Sequence, residues 1–164
     1  MIKKTMICLV VFLVLATPIS AIVIQNKINK FNLLPFKCLS FTRYILNDNG
    51  KEVQMNISQD LRFYSLKSGY LLMRGTVRNG EKNSRINRSI RFENGSLTQG
   101  KTFAYTIKNI EKLSGDSVDD SIFRLLLDEY TTGKSEFQVD IFKIDNLSYL
   151  TGGPYAFINT CTRY

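Results

Sequence analysis

An alternation of period two constrains the fold of this chain more than any other feature. Val53, Met55 and Ile57 alternate with Gln54, Asn56 and Ser58, and Phe103, Tyr105 and Ile107 alternate with Ala104 and Thr106. Successive side chains of a strand point to opposite faces, so each run buries one face of a sheet and wets the other. Phe137, Val139 and Ile141 repeat the pattern before it shifts at Phe142 and Ile144, which marks a candidate bulge. Three Asn-Gly pairs, at Asn49, Asn79 and Asn94, fall between such runs. Both residues tolerate positive φ, which tight hairpins require. The expectation is an antiparallel meander or partial barrel, with further strands over Glu136–Ile144, Leu147–Thr151 and Tyr155–Thr160.

One segment departs from this period. Residues Asp116–Tyr130 place Val118, Ile122, Leu125 and Leu126 on one helical face. Asp119 and Asp120 suit the positive end of a helix dipole, Ser117 with Asp120 resembles a capping arrangement, and Gly133 supplies a stop. A helix of three to four turns laid on the sheet is predicted, giving an α+β domain that is mainly antiparallel β.

The N-terminus sets the address. Met1-Ile-Lys-Lys is followed by Thr5–Ile24, a largely apolar stretch of 20 residues. As a helix it spans about 30 Å, the thickness of a bilayer's hydrocarbon core. Ala21 has the bulky Ile19 two positions before it, which disfavours cleavage by a signal peptidase, and apolar residues resume after Ser20. The segment therefore reads as a retained signal anchor, with a cleaved signal peptide as the competing reading. The organisation that follows is a cytoplasmic stub (1–4), a transmembrane anchor (5–24), a stalk (25–34) and an exported β-rich domain (35–164). Cys8 lies within the apolar run and reads as a membrane-buried hydrophobe.

Charge and chemistry narrow the function by exclusion. The chain has 22 basic and 14 acidic side chains; without Lys3 and Lys4 the exported part keeps 20 basic ones, a net charge of +6. An exported domain meets little nucleic acid, so an acidic partner or anionic membrane surface is the better functional reading of that charge. Its densest part is Arg74, Arg78, Lys82, Arg85, Arg88 and Arg91, read first as the solvent-facing side of a hairpin. There is no His, which removes the Ser-His-Asp and Cys-His constellations and the usual His-containing metal sites. Gly152-Gly153-Pro154 lacks the spacing and Lys of a phosphate-binding loop and reads as a turn. Asp119-Asp120 and Asp128-Glu129 fall on the predicted helix, where charge pairs are usually solvated. No catalytic, cofactor or metal residue is assigned, and the expectation is a protein that is not an enzyme. The four Asn-x-Ser sequons, at Asn56, Asn87, Asn94 and Asn146, are read as chance matches in an Asn- and Ser-rich chain.

Cys38 and Cys161 are the only cysteines beyond the apolar segment, near opposite ends of the exported part. In an oxidising compartment the expectation is a bridge tying the membrane-proximal strand to the C-terminal strand, with two free thiols or an intermolecular bridge as the alternatives.

The basic start and single anchor, the Phe36-Lys37-Cys38 entry, the Ser68–Gly75 strand, the Asn87–Gly95 strand and turn, and a Cys close to the C-terminus resemble the FidL-like proteins of enterobacteria. The fimbrial regulatory accessory proteins PsaF and MyfF are similar in layout. The resemblance implies a single-pass inner-membrane protein with its C-terminal domain in the periplasm. It would work beside a membrane-bound, winged-helix regulator of the ToxR type, whose periplasmic domain it would assist in the manner of a ToxS-type accessory protein. It further implies joint barrel formation with that partner, a possible small-molecule site at the joint interface, and Cys38 and Cys161 as a periplasmic disulfide. With only Met1–Lys4 inside the cell, the chain would make no direct contact with nucleic acid. The alternative readings are a cleaved periplasmic or secreted module binding a small apolar ligand, suggested by Phe63, Tyr70, Phe103, Tyr105, Phe137 and Phe157, or a surface or fimbrial component.

Overall fold

The computed structural model describes residues 34–98, 101–133 and 135–164. The stub, the anchor and all of the stalk but Leu34 lie outside them; among the described residues no helix is long and apolar enough to cross a membrane.

The chain order is β1 (Phe36–Asp48), β2 (Lys51–Ser65), β3 (Ser68–Asn79), β4 (Lys82–Thr98), β5 (Thr102–Lys112), α1 (Asp120–Asp128), β6 (Thr131–Thr132), β7 (Glu136–Lys143), β8 (Ser148–Gly152) and β9 (Phe157–Arg163). Every pairing is antiparallel, and the strands follow one another in the order β5-β4-β3-β2-β1-β9-β8-β7. β5 also pairs with β7, from Thr102 opposite Asp140 to Thr106 opposite Glu136, so the sheet closes into an eight-stranded barrel. The two-residue β6 pairs with the first residues of β7. The meander of the sequence reading is thus the β1–β5 half of a closed barrel.

Turn chemistry explains two of the three Asn-Gly pairs. Asn49 and Gly50 have φ of 52° and 86°, the left-handed pair of a two-residue turn that joins β1 to β2 without splaying them. Between β3 and β4 the two-residue turn is Gly80-Glu81, with Gly80 at φ 60° in its first position and Asn79 closing β3 opposite Lys82. The third pair is not a turn. Asn94 and Gly95 lie inside β4, where Asn94 takes a φ of 55° and the register with β5 shifts between Glu93 and Ser96. A side chain at Gly95 would strike the Leu66 carbonyl oxygen and the Tyr105 ring, so the glycine permits close packing at a bulge.

Inward positions carry the predicted apolar faces. Val53, Met55, Ile57, Leu61 and Phe63 of β2 are buried, as are Phe103 and Tyr105 of β5 and Phe137, Val139 and Ile141 of β7. Each large side chain contributes about 1.5–3 kcal/mol by leaving water. Their rings also interlock: Phe63 stacks on Phe103 at 4.9 Å and on Tyr105 at 5.0 Å, and Phe92 on Phe137 at 4.2 Å. Four of the aromatics suspected of holding a ligand are therefore core, while Tyr70 is partly exposed and Phe157 largely so. The shift expected at Phe142 is not a bulge, since β7 and β8 stay in register from Asp140 to Lys143. Phe142 instead lies on the outer surface, edge-on to Phe157 at 5.3 Å and under the Lys101 ammonium at 4.7 Å.

The helix is shorter than its pattern predicts. α1 begins after Asp119, whose side chain makes no capping hydrogen bond, and its buried face is Ile122, Phe123, Leu126 and Leu127 rather than one that includes Leu125. Tertiary contacts consume the residues before it. Ser117 N donates to the Arg85 carbonyl at 2.9 Å, its hydroxyl accepts from Arg85 N, and the Asp116 carboxylate accepts from Asn87 N at 2.9 Å. The segment is thereby fastened to β4 and cannot wind.

Arg88 completes that fastening and corrects the reading of the basic cluster as wholly solvent-facing. Its side chain is 3% exposed and pairs with Asp116 at 3.2 Å and Asp120 at 2.7 Å. It also donates to the Val118 carbonyl at 2.9 Å and lies over the Phe123 ring at 4.3 Å. One buried guanidinium thus ties β4, the loop and the helix together.

Candidate functional site

The barrel is least complete where its first and last strands meet. β1 and β9 pair only through Cys38 with Arg163 and Leu39 with Thr162. Three devices reinforce this short seam.

The first is covalent. Cys38 and Cys161 are bonded, with Cα atoms 5.6 Å apart and 123 positions between them in sequence. The crosslink lies beside the two backbone pairs, joining the same two strands. In the chain-entropy account, closing a loop of that length contributes about 5 kcal/mol.

The second is a clasp on the outer surface. The Tyr164 hydroxyl donates to Asp60 at 2.7 Å, and Tyr164 N donates to the Lys37 carbonyl at 3.3 Å. Arg62 pairs with Asp60 at 2.6 Å and lies over the rings of Tyr70 and Tyr164. Partial burial alone would raise the Asp60 pKa, but hydrogen bonds from Arg62 and Tyr164 and the charges of Arg62 and Arg74 outweigh it and hold the carboxyl below its usual range. Burial, followed by the bond to Asp60, pushes the Tyr164 phenol up to about 12.

The third is internal. Where β1 and β9 part, side chains replace the backbone ladder. Tyr44 of β1, Gln59 of β2, Tyr130 after α1, Thr151 of β8 and Asn159 of β9 form one polar cluster in the apolar interior. Gln59 Nε2 donates to the Tyr44 hydroxyl, and Tyr130 donates to Gln59 Oε1 at 2.6 Å. The Tyr130 proton being committed, Tyr44 donates across the 3.2 Å between the two hydroxyls, closing a ring of three hydrogen bonds. Asn159 Nδ2 adds donation to Gln59 Oε1 at 3.0 Å, and Thr151 Oγ1 donates to Asn159 Oδ1 at 2.6 Å. Burial above all, with the neighbouring Tyr44, pushes the Tyr130 phenol well up, so it stays protonated. The cavity beside this cluster, lined by Cys38, Gln59, Tyr130, Asn159 and Cys161 among others, measures about 10 Å³, room for a single water.

Beyond the cluster, β1 continues without a strand partner on its β9 side, and α1 is the other element packed near it. The β1 edge from Phe41 to Asp48 has no strand beside it among the described residues. Asp48 and Lys51 flank a two-residue turn, so even-numbered residues of β1 exchange backbone hydrogen bonds with β2, and the N–H and C=O groups of Phe41, Arg43, Ile45 and Asn47 point away from it. Phe41 is 77% exposed and Ile45 59%, large apolar side chains standing on an unpaired edge.

The outer face of β1–β4 next to that edge is basic. Arg43 and Arg78 both donate to Gln54 Oε1, at 3.1 and 2.6 Å, and Arg74 donates to Asn87 Oδ1 at 3.2 Å. Among the described residues none of these three guanidiniums lies within ion-pair distance of a carboxylate, whereas Arg62, Arg88, Arg91, Lys82, Lys108 and Lys112 each do.

Of the residues singled out from sequence, Cys38 and Cys161 are brought together. Asp119 and Asp120 bind cations instead of each other: Lys82 pairs with Asp119, while Lys112 and then Arg88 hold the Asp120 carboxyl below its usual range. Among the described residues no group of three or more His, Cys, Asp or Glu could hold a metal ion. Sequence reasoning missed the polar ring, although Gln59 signals it by occupying an inward position between Ile57 and Leu61.

The FidL-like putative membrane protein family model matches Gly75 through Cys161, from the middle of β3 to the bridge cysteine of β9. No curated protein matches the chain. The match extends over more than half of the sequence and takes in four barrel strands whole and β3 and β9 in part, and on that basis the chain belongs to the FidL-like family.

Proposed function

We propose that this FidL-like protein is an inner-membrane accessory protein, held by Thr5–Ile24, whose periplasmic barrel binds the periplasmic domain of a ToxR-like transmembrane transcription regulator. Binding stabilises that regulator or holds it in its active state, and the chain itself performs no catalysis. The observation that carries the reading is the unpaired edge of β1, Phe41–Asp48, with Phe41 and Ile45 exposed on it. Open edges of this kind accept a strand from another chain, gaining a ladder of backbone hydrogen bonds and pockets for alternate side chains. The rest of the seam is fixed by the disulfide, the clasp and the polar ring, so the receiving edge is presented by a rigid frame.

Binding to the folded form alone stabilises a partner by mass action, about 2.7 kcal/mol when this protein stands at a hundred times its Kd. Deleting the gene for this chain should then shorten the regulator's half-life and lower transcription of its targets. Co-purification of the two periplasmic domains from one cell, together with a pulse-chase of the regulator in the deletion strain, tests both halves. No complex together with an unchanged half-life and output refutes the assignment.

A further inference from the structure

The edge of β1 is specific about what it will accept. Its outward side chains run Phe41, Arg43, Ile45, so a charge stands between two apolar groups. Across the sheet Arg43 is level with Asn56 and Thr76, and Phe41 with Ser58 and Arg74. Two depressions of about 410 and 370 Å³ lie on either side of that row, the first lined by Phe41 and Arg74 and the second by Gln54 and Arg78, with Arg43 common to both. Arg43 and Arg78 converge on one amide oxygen, which brings like charges together with only a neutral acceptor between them. Glu52, two residues before Gln54, is engaged by Gln54 Nε2 and forms no ion pair with either guanidinium. Next to Arg43 on the inward side, Thr42 Oγ1 is buried without a hydrogen-bond partner. An unpaired backbone edge, an uncompensated guanidinium pair and an orphaned hydroxyl thus coincide at one place.

Building on the strand-addition reading above, we propose that the occupant of this edge is a strand of a different polypeptide that places a carboxylate opposite Arg43, flanked at alternate positions by apolar residues opposite Phe41 and Ile45. Opposite charges facing each other across an antiparallel pair attract, and like charges repel. A second copy of this chain is a poor occupant, because the edge's own outward residues, Phe41, Arg43, Ile45 and Asn47, include no carboxylate to set opposite Arg43. The chain's own N-terminal part fits no better, because Met1–Pro35 contains no Asp or Glu. The ligand is an acidic, alternating β segment.

The test uses full-length protein in detergent and three short fluorescent peptides that alternate Thr and Val, with Glu, Gln or Lys at the centre, read by anisotropy at low and high salt. The Glu peptide should bind on the order of fivefold more tightly than the Gln peptide, and the difference should shrink as salt rises. Arg43→Gln should erase the preference, and Arg43→Glu should reverse it toward the Lys peptide. Equal binding of all three peptides overturns the acidic complement and leaves strand addition standing. Binding of none overturns strand addition at this edge and the acidic complement with it. A dimer in sedimentation that Ile45→Lys dissolves identifies the occupant as a second copy and overturns the proposal.

Discussion

Replacing Arg88 by Met gives the most direct test of what holds the helix to the barrel. Asp116 has a side chain only 1% exposed, and the substitution leaves it buried with one remaining hydrogen bond, from Asn87 N. Breaking a buried pair by removing one partner costs about 3–5 kcal/mol, because the surviving charge is uncompensated. Domain stabilities are about 5–15 kcal/mol, so this is roughly a fifth of the total or more. Losses of that size lower Tm by roughly 10–20 °C for a domain of this length. The chain has no Trp, and its 8 Tyr all follow the apolar N-terminal stretch, so tyrosine emission during urea unfolding of the detergent-solubilised protein reports on the barrel. The double substitution Arg88→Met with Asp116→Asn removes both charges and keeps the acceptor for Asn87 N. It should recover about 1–3 kcal/mol of the single-variant loss. A loss below about 1 kcal/mol for Arg88→Met, or a double variant no better than the sum of the singles, would refute the reasoning.

Other outcomes follow from the seam and its supports. Cys161→Ser should lower stability by up to about 5 kcal/mol, and the same loss should appear when wild-type protein is unfolded in reductant; equal urea midpoints with and without reductant would count against it. Gln59→Leu opens the hydrogen-bonded ring and strips partners from Tyr44, Tyr130 and Asn159, so a loss of about 2–3 kcal/mol is expected, against about 1 for Tyr130→Phe. The clasp depends on pH at both ends. Asp60 has a depressed folded pKa, so its contribution is present above the unfolded value of about 4 and is lost as pH falls through the folded one. Tyr164 has a raised pKa, so its contribution is present below about 10 and is lost as pH rises toward about 12. Asp60→Asn should bring the Tyr164 absorbance titration back toward 10, and an unmoved midpoint would break the link. Full-length protein should resist extraction from membranes by alkaline carbonate; a soluble mature form beginning near Thr17 or Ile22 would restore the cleaved-signal reading.

The strands were legible because alternation and burial agree. Val53, Met55 and Ile57 point inward as their spacing predicts, and two Asn-Gly pairs fall at hairpin turns as expected. What failed did so where a distant contact overrode a local preference. Asn94-Gly95 has the composition of a hairpin, yet the Tyr105 ring and the Leu66 carbonyl use the glycine as packing space. Asp116–Asp119 has the composition of a helix start, yet β4 draws its backbone out straight. Arg88 reads as surface in a run of arginines, and only the arrival of Asp116 from 28 residues away makes its burial tolerable. The candidate edge was invisible for the same reason: nothing in Phe41–Asp48 says that β9 turns away from it after two residue pairs.

The meeting of first and last strands also sets an order of assembly. The hairpins β1–β2, β2–β3 and β3–β4 form between neighbours in sequence, but the pairing of β1 with β9 spans 123 positions, and such contacts form slowly because a large loop must close first. Until β9 is in place, β1 offers its whole length as an unsatisfied edge instead of its distal half alone. During that interval the nascent domain competes with itself: any extended segment that reaches β1 early, its own or a foreign one, occupies the place of β9. Thiol oxidation then acts as a latch on the correct outcome, because Cys161 reaches Cys38 only when β9 has taken its position. Under reducing conditions the protein should therefore accumulate as mispaired oligomers before any loss of the correctly folded form appears.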